Sequence, residues 1–393
     1  MRRLYNSKLM VLILLLAFFK PICLQYYSNL KLFDLLYNVY KTVAVIIIVL
    51  QSFFARYPRV NLSNRFFAIF IFGLWSFVIT VISKGYVARV IIDFATIYAI
   101  YIFIDNGLKN NSKRLIEQAA QMLLVLIVLQ LVTELIYPTG MPADLYNNNL
   151  SNPLYFMTLD NGTASLTIMA ITFIYLRDKY CKKRKSALLI GEVLICITTA
   201  ILSGSTTAML CTIFMALVPP LVKIMNKHSS FDKPITWIGL YLVLFVFVII
   251  GGSNSTLILI VSMITGKVGF TGRTFLWESA LELIEKSPVI GYGRQATDYI
   301  KAWGGYFSSH NVILEAMLQG GIVEVVLWIN CIIHSTIPVK TCEDKYLTRI
   351  LLSSMFITLV SLLMETTVFS VYLFTILALL GNCNYIVKTN KYQ

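Results

Sequence analysis

The sequence predicts an all-α polytopic membrane protein, and three observations carry that prediction. Hydrophobic residues make up 58% of the 393-residue chain and charged residues only 13%, with a mean hydropathy of +0.75. A soluble domain is nearer half apolar and a quarter charged. The apolar residues gather in runs of ~20, long enough to cross a ~30 Å hydrocarbon core as helices, and they do not alternate as the strands of a membrane barrel would. Basic residues fill every second turn between the runs, which is the pattern of cytoplasmic loops.

About twelve transmembrane helices are expected from the apolar runs. They cover residues 9–26, 40–54, 66–82, 86–104, 116–137, 162–176, 187–202, 206–225, 235–251, 311–333, 347–364 and 368–387. The first is read as a retained span, because Lys20-Pro21-Ile22-Cys23 leads into bulky Gln25-Tyr26-Tyr27 and not into the small residues of a cleavage site. Arg56, Arg59 and Arg65 follow the second span, and Lys109, Lys113 and Arg114 the fourth. Arg177, Lys179, Lys182, Lys183, Arg184 and Lys185 follow the sixth, and Lys223, Lys227 and Lys233 the eighth. Lys340, Lys345 and Arg349 follow the tenth, and Lys388 and Lys391 the twelfth. With every even-numbered end basic, both termini face the cytoplasm, and residues 1–393 form a single integral membrane domain. Two long external loops result: 138–161, with many Asn and no Lys or Arg, and 252–309, a large external loop before the last three helices.

The net charge of +14 is accounted for by those cytoplasmic turns, and no nucleic-acid motif accompanies it. The seven cysteines show no Cys-x-x-Cys spacing, which argues against metal or disulfide use. No fixed-period repeat is visible.

The loop at 252–309 is the long polar stretch in an apolar chain, and it is the expected place for chemistry. Residues 274–285 have helical periodicity: Trp277, Leu281 and Ile284 fall on one face, Phe275, Leu276, Ala280 and Leu283 beside them, and Glu278, Glu282 and Glu285 opposite. Pro288 ends the pattern, giving an amphipathic helix at the membrane surface or packed on the spans. Arg273 stands at its start, where a cation opposes the helix dipole by ~0.3–1 kcal/mol. Its guanidinium and the free N–H groups of the first turn suit an anion such as phosphate; pairing with Glu278 or with a lipid headgroup is the alternative. Gly291-Tyr292-Gly293-Arg294 is a turn whose glycines serve unusual dihedrals or a phosphate.

His310-Asn311 opens the next span, and Asn311, Glu315 and Gln319 recur at helical spacing as a polar stripe in its outer half. Ionisable groups in a span are costly and face a protein interior or a wet cavity. A histidine beside such a stripe is a candidate general base, since its pKa lies near working pH, or a hydrogen-bonding residue only. Arg89 and Asp93, four apart in the fourth span, are expected to pair. Glu134 near the outer end of the fifth span and Glu365 in the last external turn are further ionisable groups of the outer side, and Glu192 and Glu324 lie deeper.

Gly272-Arg273-x-x-x-x-Trp277, Ile284, Ser287-Pro288-x-Ile290-Gly291-x-Gly293, His310-Asn311 and Gly320-Gly321-Ile322 together resemble the bacterial O-antigen ligase and polysaccharide polymerase (Wzy/WaaL) superfamily. The segment Ile201-Leu202-Ser203-Gly204-Ser205-Thr206-Thr207-Ala208 also resembles a family segment, with Thr206 where the family often has arginine. The resemblance implies a GT-C-like helical glycosyltransferase in the cytoplasmic membrane of a bacterium, with its active site on the external face. It implies a glycan on undecaprenyl diphosphate as donor, a second glycan as acceptor, inversion at the anomeric carbon, and no metal or other cofactor.

On that resemblance the catalytic residues are Arg273, which binds the diphosphate, and His310, which orients or deprotonates the acceptor hydroxyl. The substrate-binding residues are Arg294, Trp277, Asn311, Glu315 and Arg89, with Arg294 or Arg89 standing in for the missing arginine, and Trp277 and the loop 146–155 touching sugar. Membrane lipid, a chain-length regulator and the flippase of the same pathway are the implied partners. Three functions stay open: a polymerase of lipid-linked repeats, a ligase moving a finished glycan to an acceptor, and a flippase or exporter of the same glycan. A transporter would place its ionisable groups near the midplane.

Overall fold

The apolar runs fold as helices wherever the computed structural model describes them, namely over residues 5, 7–54, 64–142, 153–159, 161–181, 185–225, 228–251, 273–294 and 308–391. In chain order these are α1 (Lys8–Leu16), α2 (Lys31–Phe54), α3 (Asn64–Ile82), α4 (Val87–Ile136), α5 (Thr163–Tyr180), α6 (Ser186–Leu202), α7 (Thr206–Met225) and α8 (Pro234–Gly251). Then come α9 (Arg273–Lys286), α10 (Val312–Thr336), α11 (Lys345–Leu362), α12 (Val371–Gly381) and α13 (Cys383–Lys391). Among the described residues no strand forms; a lone bridge pairs Leu154 with Leu159. Among the described residues six helices are long and apolar enough to cross a membrane, and α6, α8 and α12 include shorter apolar segments. Of the expected external loop, residues 252–272 and 295–307 lie outside the described residues, as do Arg56, Arg59, Lys182, Lys183, Arg184, Lys227 and most of the loop 146–155.

Six runs depart from the expected boundaries, at four places. The first helix stops at Leu16 and two short 3-10 turns follow Pro21, so α2 starts at Lys31, well before residue 40. The hydroxyls of Tyr37 and Tyr40 on α2 cap this early stop by donating to the carbonyls of Leu16 and Ile13. The fourth and fifth runs join in α4 with a break at Asn111 (φ −158, ψ 78), where the Asn111 side chain restarts the helix by accepting from the Arg114 N–H at 3.1 Å. A Cβ on Gly107 would meet Leu115 at 2.8 Å, so the two arms turn sharply against each other there. The run at 311–333 is broken at Gly320–Gly321. The final run divides at Asn382 (φ −128, ψ 18) into α12 and α13.

The core is centred on α5, whose residues from Thr163 to Arg177 are all buried; a helix apolar on every side belongs in an interior. Its hydroxyls then need protein partners. Thr167 meets Thr212 of α7 at 2.6 Å, Thr172 donates to Ser354 of α11 at 2.9 Å, and Tyr175 donates to the Ala216 carbonyl at 2.8 Å.

Ion pairs gather where the basic turns were expected. Asp105 pairs with Arg65 at 3.2 Å and Lys109 at 2.6 Å, Asp232 with Arg349 at 2.6 Å, and Asp344 with Lys179 at 3.9 Å. All seven cysteines are buried and free.

Candidate functional site

The site is assembled by the break in α10. An α-helix interrupted at Gly320 (φ −137, ψ 16) and Gly321 (φ 68, ψ −167) leaves carbonyls of the preceding turn without their usual partners. The Ser287–Arg294 turn supplies them. The Tyr292 N–H donates to the Leu318 carbonyl at 2.7 Å, and the Gly293 N–H to the Gln319 carbonyl at 2.8 Å. In return the Ile322 N–H donates to the Pro288 carbonyl at 2.9 Å. Trp75 of α3 closes the other side, donating from Nε1 to the Gly320 carbonyl at 2.9 Å. Gly291 and Gly293 both have positive φ, and a Cβ on Gly291 would meet Gly321 N and the Leu318 carbonyl oxygen at 2.7 Å. The Gly-x-Gly therefore serves close backbone docking, the first of its two sequence readings.

The helix α9 leads into this turn. It starts at Arg273 and stops at Lys286, just before Ser287-Pro288. Trp277, Ala280, Leu283 and Ile284 are its buried residues, and they form one cluster with Leu314 and Leu318 of α10. The buried stripe is rotated relative to the expected one: Leu281 is exposed, and Ala280 and Leu283 take its place. Trp277 is only 2% exposed. Its ring packs α9 against Leu314 and Leu318 of α10.

At the head of α10, Asn311 is the N-cap. Its Oδ1 accepts from the Ile313 and Leu314 N–H groups at 3.0 and 3.2 Å, and its Nδ2 donates to the Leu363 carbonyl at 3.2 Å. One oxygen of Glu315 accepts from both the N–H and the hydroxyl of Ser309, and the other from Gln319 Nε2 at 2.7 Å. Ser309, Glu315 and Gln319 thus form one buried hydrogen-bonded column beside the Asn311 cap, and the two together fix the residues on either side of His310. The side chains of Asn311 and Glu315 both have protein partners there, Asn311 in the cap and Glu315 in the column.

His310 itself is half-buried and has φ +47. That left-handed region is uncommon for a residue with a Cβ, and such strain is held where surrounding contacts over-determine it. Burial pushes the imidazole pKa below its ordinary value, and the positive charge of Arg273 pushes it the same way. The structure therefore brings Arg273 and His310, far apart in sequence, into one electrostatic field that disfavours the charged imidazole.

Arg294 and Arg89 meet through Asp93. Its Oδ2 lies 2.8 Å from Arg294 Nη2 and 3.0 Å from Arg89 Nε. Arg294 also sits over the Phe369 ring at 5.5 Å. Its backbone is tied to the end of α3 and start of α4, its N–H donating to Thr80 Oγ1 at 3.1 Å and its carbonyl accepting from Tyr86 N at 2.9 Å. The charge of Arg294 reaches Glu315 and Glu324, which links this group to the His310 column. The side chain of Arg89 is 56% exposed. Sequence reasoning missed Trp75, Thr80 and Phe369; each contributes through a single long-range contact that leaves no local pattern.

Arg273 at the head of α9 and the half-buried His310 thus share one electrostatic environment within a bundle of apolar helices. Residues 192–329 match the family model of the O-antigen ligase domain, and the match supports membership of the O-antigen ligase/polymerase superfamily, whose members are membrane enzymes of glycosyl transfer with lipid-linked glycan substrates. Arg273, Trp277, Arg294, His310, Asn311 and Glu315 all fall within the matched residues, whereas Arg89 falls outside them. No curated protein matches the chain.

Proposed function

We propose that this chain is a membrane glycosyltransferase that polymerises undecaprenyl-diphosphate-linked oligosaccharide repeats on the outer face of the cytoplasmic membrane. The observation that carries the reading is the coupling of Arg273 at the head of α9 to the half-buried His310. In this reading the diphosphate of the donor lies against Arg273 and the free N–H groups of the first turn of α9. The acceptor sugar hydroxyl gives its proton to the His310 imidazole as its oxygen attacks the anomeric carbon. The bond from that carbon to the diphosphate oxygen breaks, and the leaving charge is held by Arg273. Attack opposite the leaving group inverts the anomeric centre. Arg294 and Arg89 lie close enough to each other, through Asp93, to extend the cationic surface.

The test is a glycan ladder from cells carrying Arg273→Ala or His310→Ala at normal protein level. Loss of long chains by ~100-fold or more, with single lipid-linked repeats exposed outside, supports polymerisation at this site. Repeats retained inside the cell would identify a flippase, and long chains left on the lipid carrier a ligase. An unchanged ladder in both variants would remove the assignment of the site.

A further inference from the structure

Glu324 lies midway along α10, a helix long and apolar enough to cross a membrane, and is fully buried. No basic side chain among the described residues forms an ion pair with it. Of the charged groups that reach it, Arg294 is paired with Asp93 at 2.8 Å and Glu315 is an acid as well. A bare carboxylate taken out of water is very costly unless it is paired. The hydrogen-bond geometry around Glu324 shows how that penalty is met. Ser76 of α3 has its Oγ 3.0 Å from Glu324 Oε1 and 3.2 Å from the Phe72 carbonyl oxygen. One hydroxyl carries one proton, so an ionised Glu324 would compete with Phe72 for it. The second oxygen, Oε2, is buried with no donor at all. It lies against Gly320, where an added Cβ would collide with it. A proton on Oε1 satisfies every group. Glu324 then donates to Ser76, and Ser76 donates to the Phe72 carbonyl. Oε2 becomes the carbonyl oxygen of a neutral acid, which is far less costly to leave without a donor than half of a carboxylate.

The same bond helps to place a turn far along the chain. It joins α3 to the break in α10 beside a second link, from Trp75 Nε1 to the Gly320 carbonyl at 2.9 Å. One helical turn further along α3, Thr80 Oγ1 donates to the Ser76 carbonyl at 2.7 Å and accepts the Arg294 N–H at 3.1 Å. We propose that Glu324 is held in the span as a neutral carboxylic acid that latches α10 to Ser76 of α3, and that this latch positions the turn ending in Arg294. Glu324 is thereby a positioning residue, acting through Ser76 and Thr80. Only its effect on chain growth rests on the glycosyl-transfer reading; the acid and the latch stand on the hydrogen bonds.

The experiment records infrared spectra of the full chain in nanodiscs at neutral pH, as the difference between the parent and Glu324→Gln. The expected result is a carboxylic acid C=O band present in the parent and lost in the variant. Loss of a carboxylate band instead would overturn the neutral acid. The positioning role is read from initial rates of chain extension on purified lipid-linked repeats. Glu324→Leu, which has no donor, is expected to raise KM roughly 3–10-fold, the scale of one lost buried hydrogen bond, with a smaller change in kcat. Ser76→Ala reproduces the rise. Glu324→Gln restores KM, because its amide N–H donates to Ser76 in place of the acid. An unchanged KM in both Glu324→Leu and Ser76→Ala would overturn the positioning role, as would a rise in Glu324→Gln equal to that in Glu324→Leu. A parent protein that extends no chains removes the transferase reading but not the latch. The latch then stands if Glu324→Leu melts below Glu324→Gln, and falls if the two melt together.

Discussion

Glu315 holds Ser309 through one oxygen, which accepts the Ser309 N–H at 3.0 Å and its hydroxyl at 3.1 Å. His310, with its left-handed backbone, is the next residue, so the carboxylate acts as a strut for the histidine. Glu315→Ala leaves the buried Ser309 N–H and the Gln319 amide without that partner, at ~1–3 kcal/mol for a buried polar group. The expected result is a lower Tm in detergent and shortened glycan chains. Glu315→Gln keeps one acceptor oxygen and should restore most of the Tm but only part of the chain growth. Equal chain growth in all three proteins would show that the strut does not serve His310.

The imidazole of His310 offers a pH test with a defined sign. Burial and the Arg273 charge both disfavour the imidazolium, so a reaction that needs neutral His310 keeps its rate until the pH falls below the ordinary histidine range near ~6.5. Arg273→Gln removes the second cause and leaves burial. The pKa then rises part of the way, and the acid limb of the residual rate moves to higher pH. The measurement is the pH profile of chain extension on purified lipid-linked repeats. A limb that stays in place in Arg273→Gln would mean that another group titrates.

Trp277 separates packing from sugar contact. Its ring is buried in the cluster that joins α9 to α10, so a bulky aliphatic side chain should serve. Trp277→Leu is expected to retain the glycan ladder, whereas Trp277→Ala opens a cavity worth ~3 kcal/mol and lowers both Tm and chain growth. A Trp277→Leu protein with unchanged Tm and no chain growth would return the indole to the substrate.

The helical class was legible because burial in lipid writes itself into composition and run length. The helix α9 and its stop before Pro288 were legible from the periodicity of 274–285 and the proline that follows, since spacing and proline rules are local. The rotation of the α9 stripe was not: Leu281 and Ala280 are one helical step apart, and only the shape of α10 decides between them. The pairing of Arg89 with Asp93 follows from spacing, but the arrival of Arg294 on the same oxygen depends on the docking of a turn far along the chain. The break at Gly320–Gly321 was visible as a motif, yet its purpose is seen only when the Leu318 and Gln319 carbonyls meet Tyr292 and Gly293.

That break gives the strongest stability prediction. Gly321 has φ 68 and ψ −167, a region open essentially to glycine alone, and a Cβ there would meet Ile290 N at 2.5 Å. Gly321→Ala therefore forces the Ser287–Arg294 turn off α10, at roughly 2–4 kcal/mol from positive φ and close contact together. Because Arg294 ends that turn and pairs with Asp93, the growth of glycan chains should fall more than the Tm does. Gly191→Ala is the control: it lies within α6 with nothing within 4 Å of the added Cβ, and a helical glycine replaced by alanine gains ~0.5–1 kcal/mol. Thermal unfolding of the two variants side by side should move in opposite directions. A Gly321→Ala protein as stable and as active as the parent would show that the break in α10 does not hold the site.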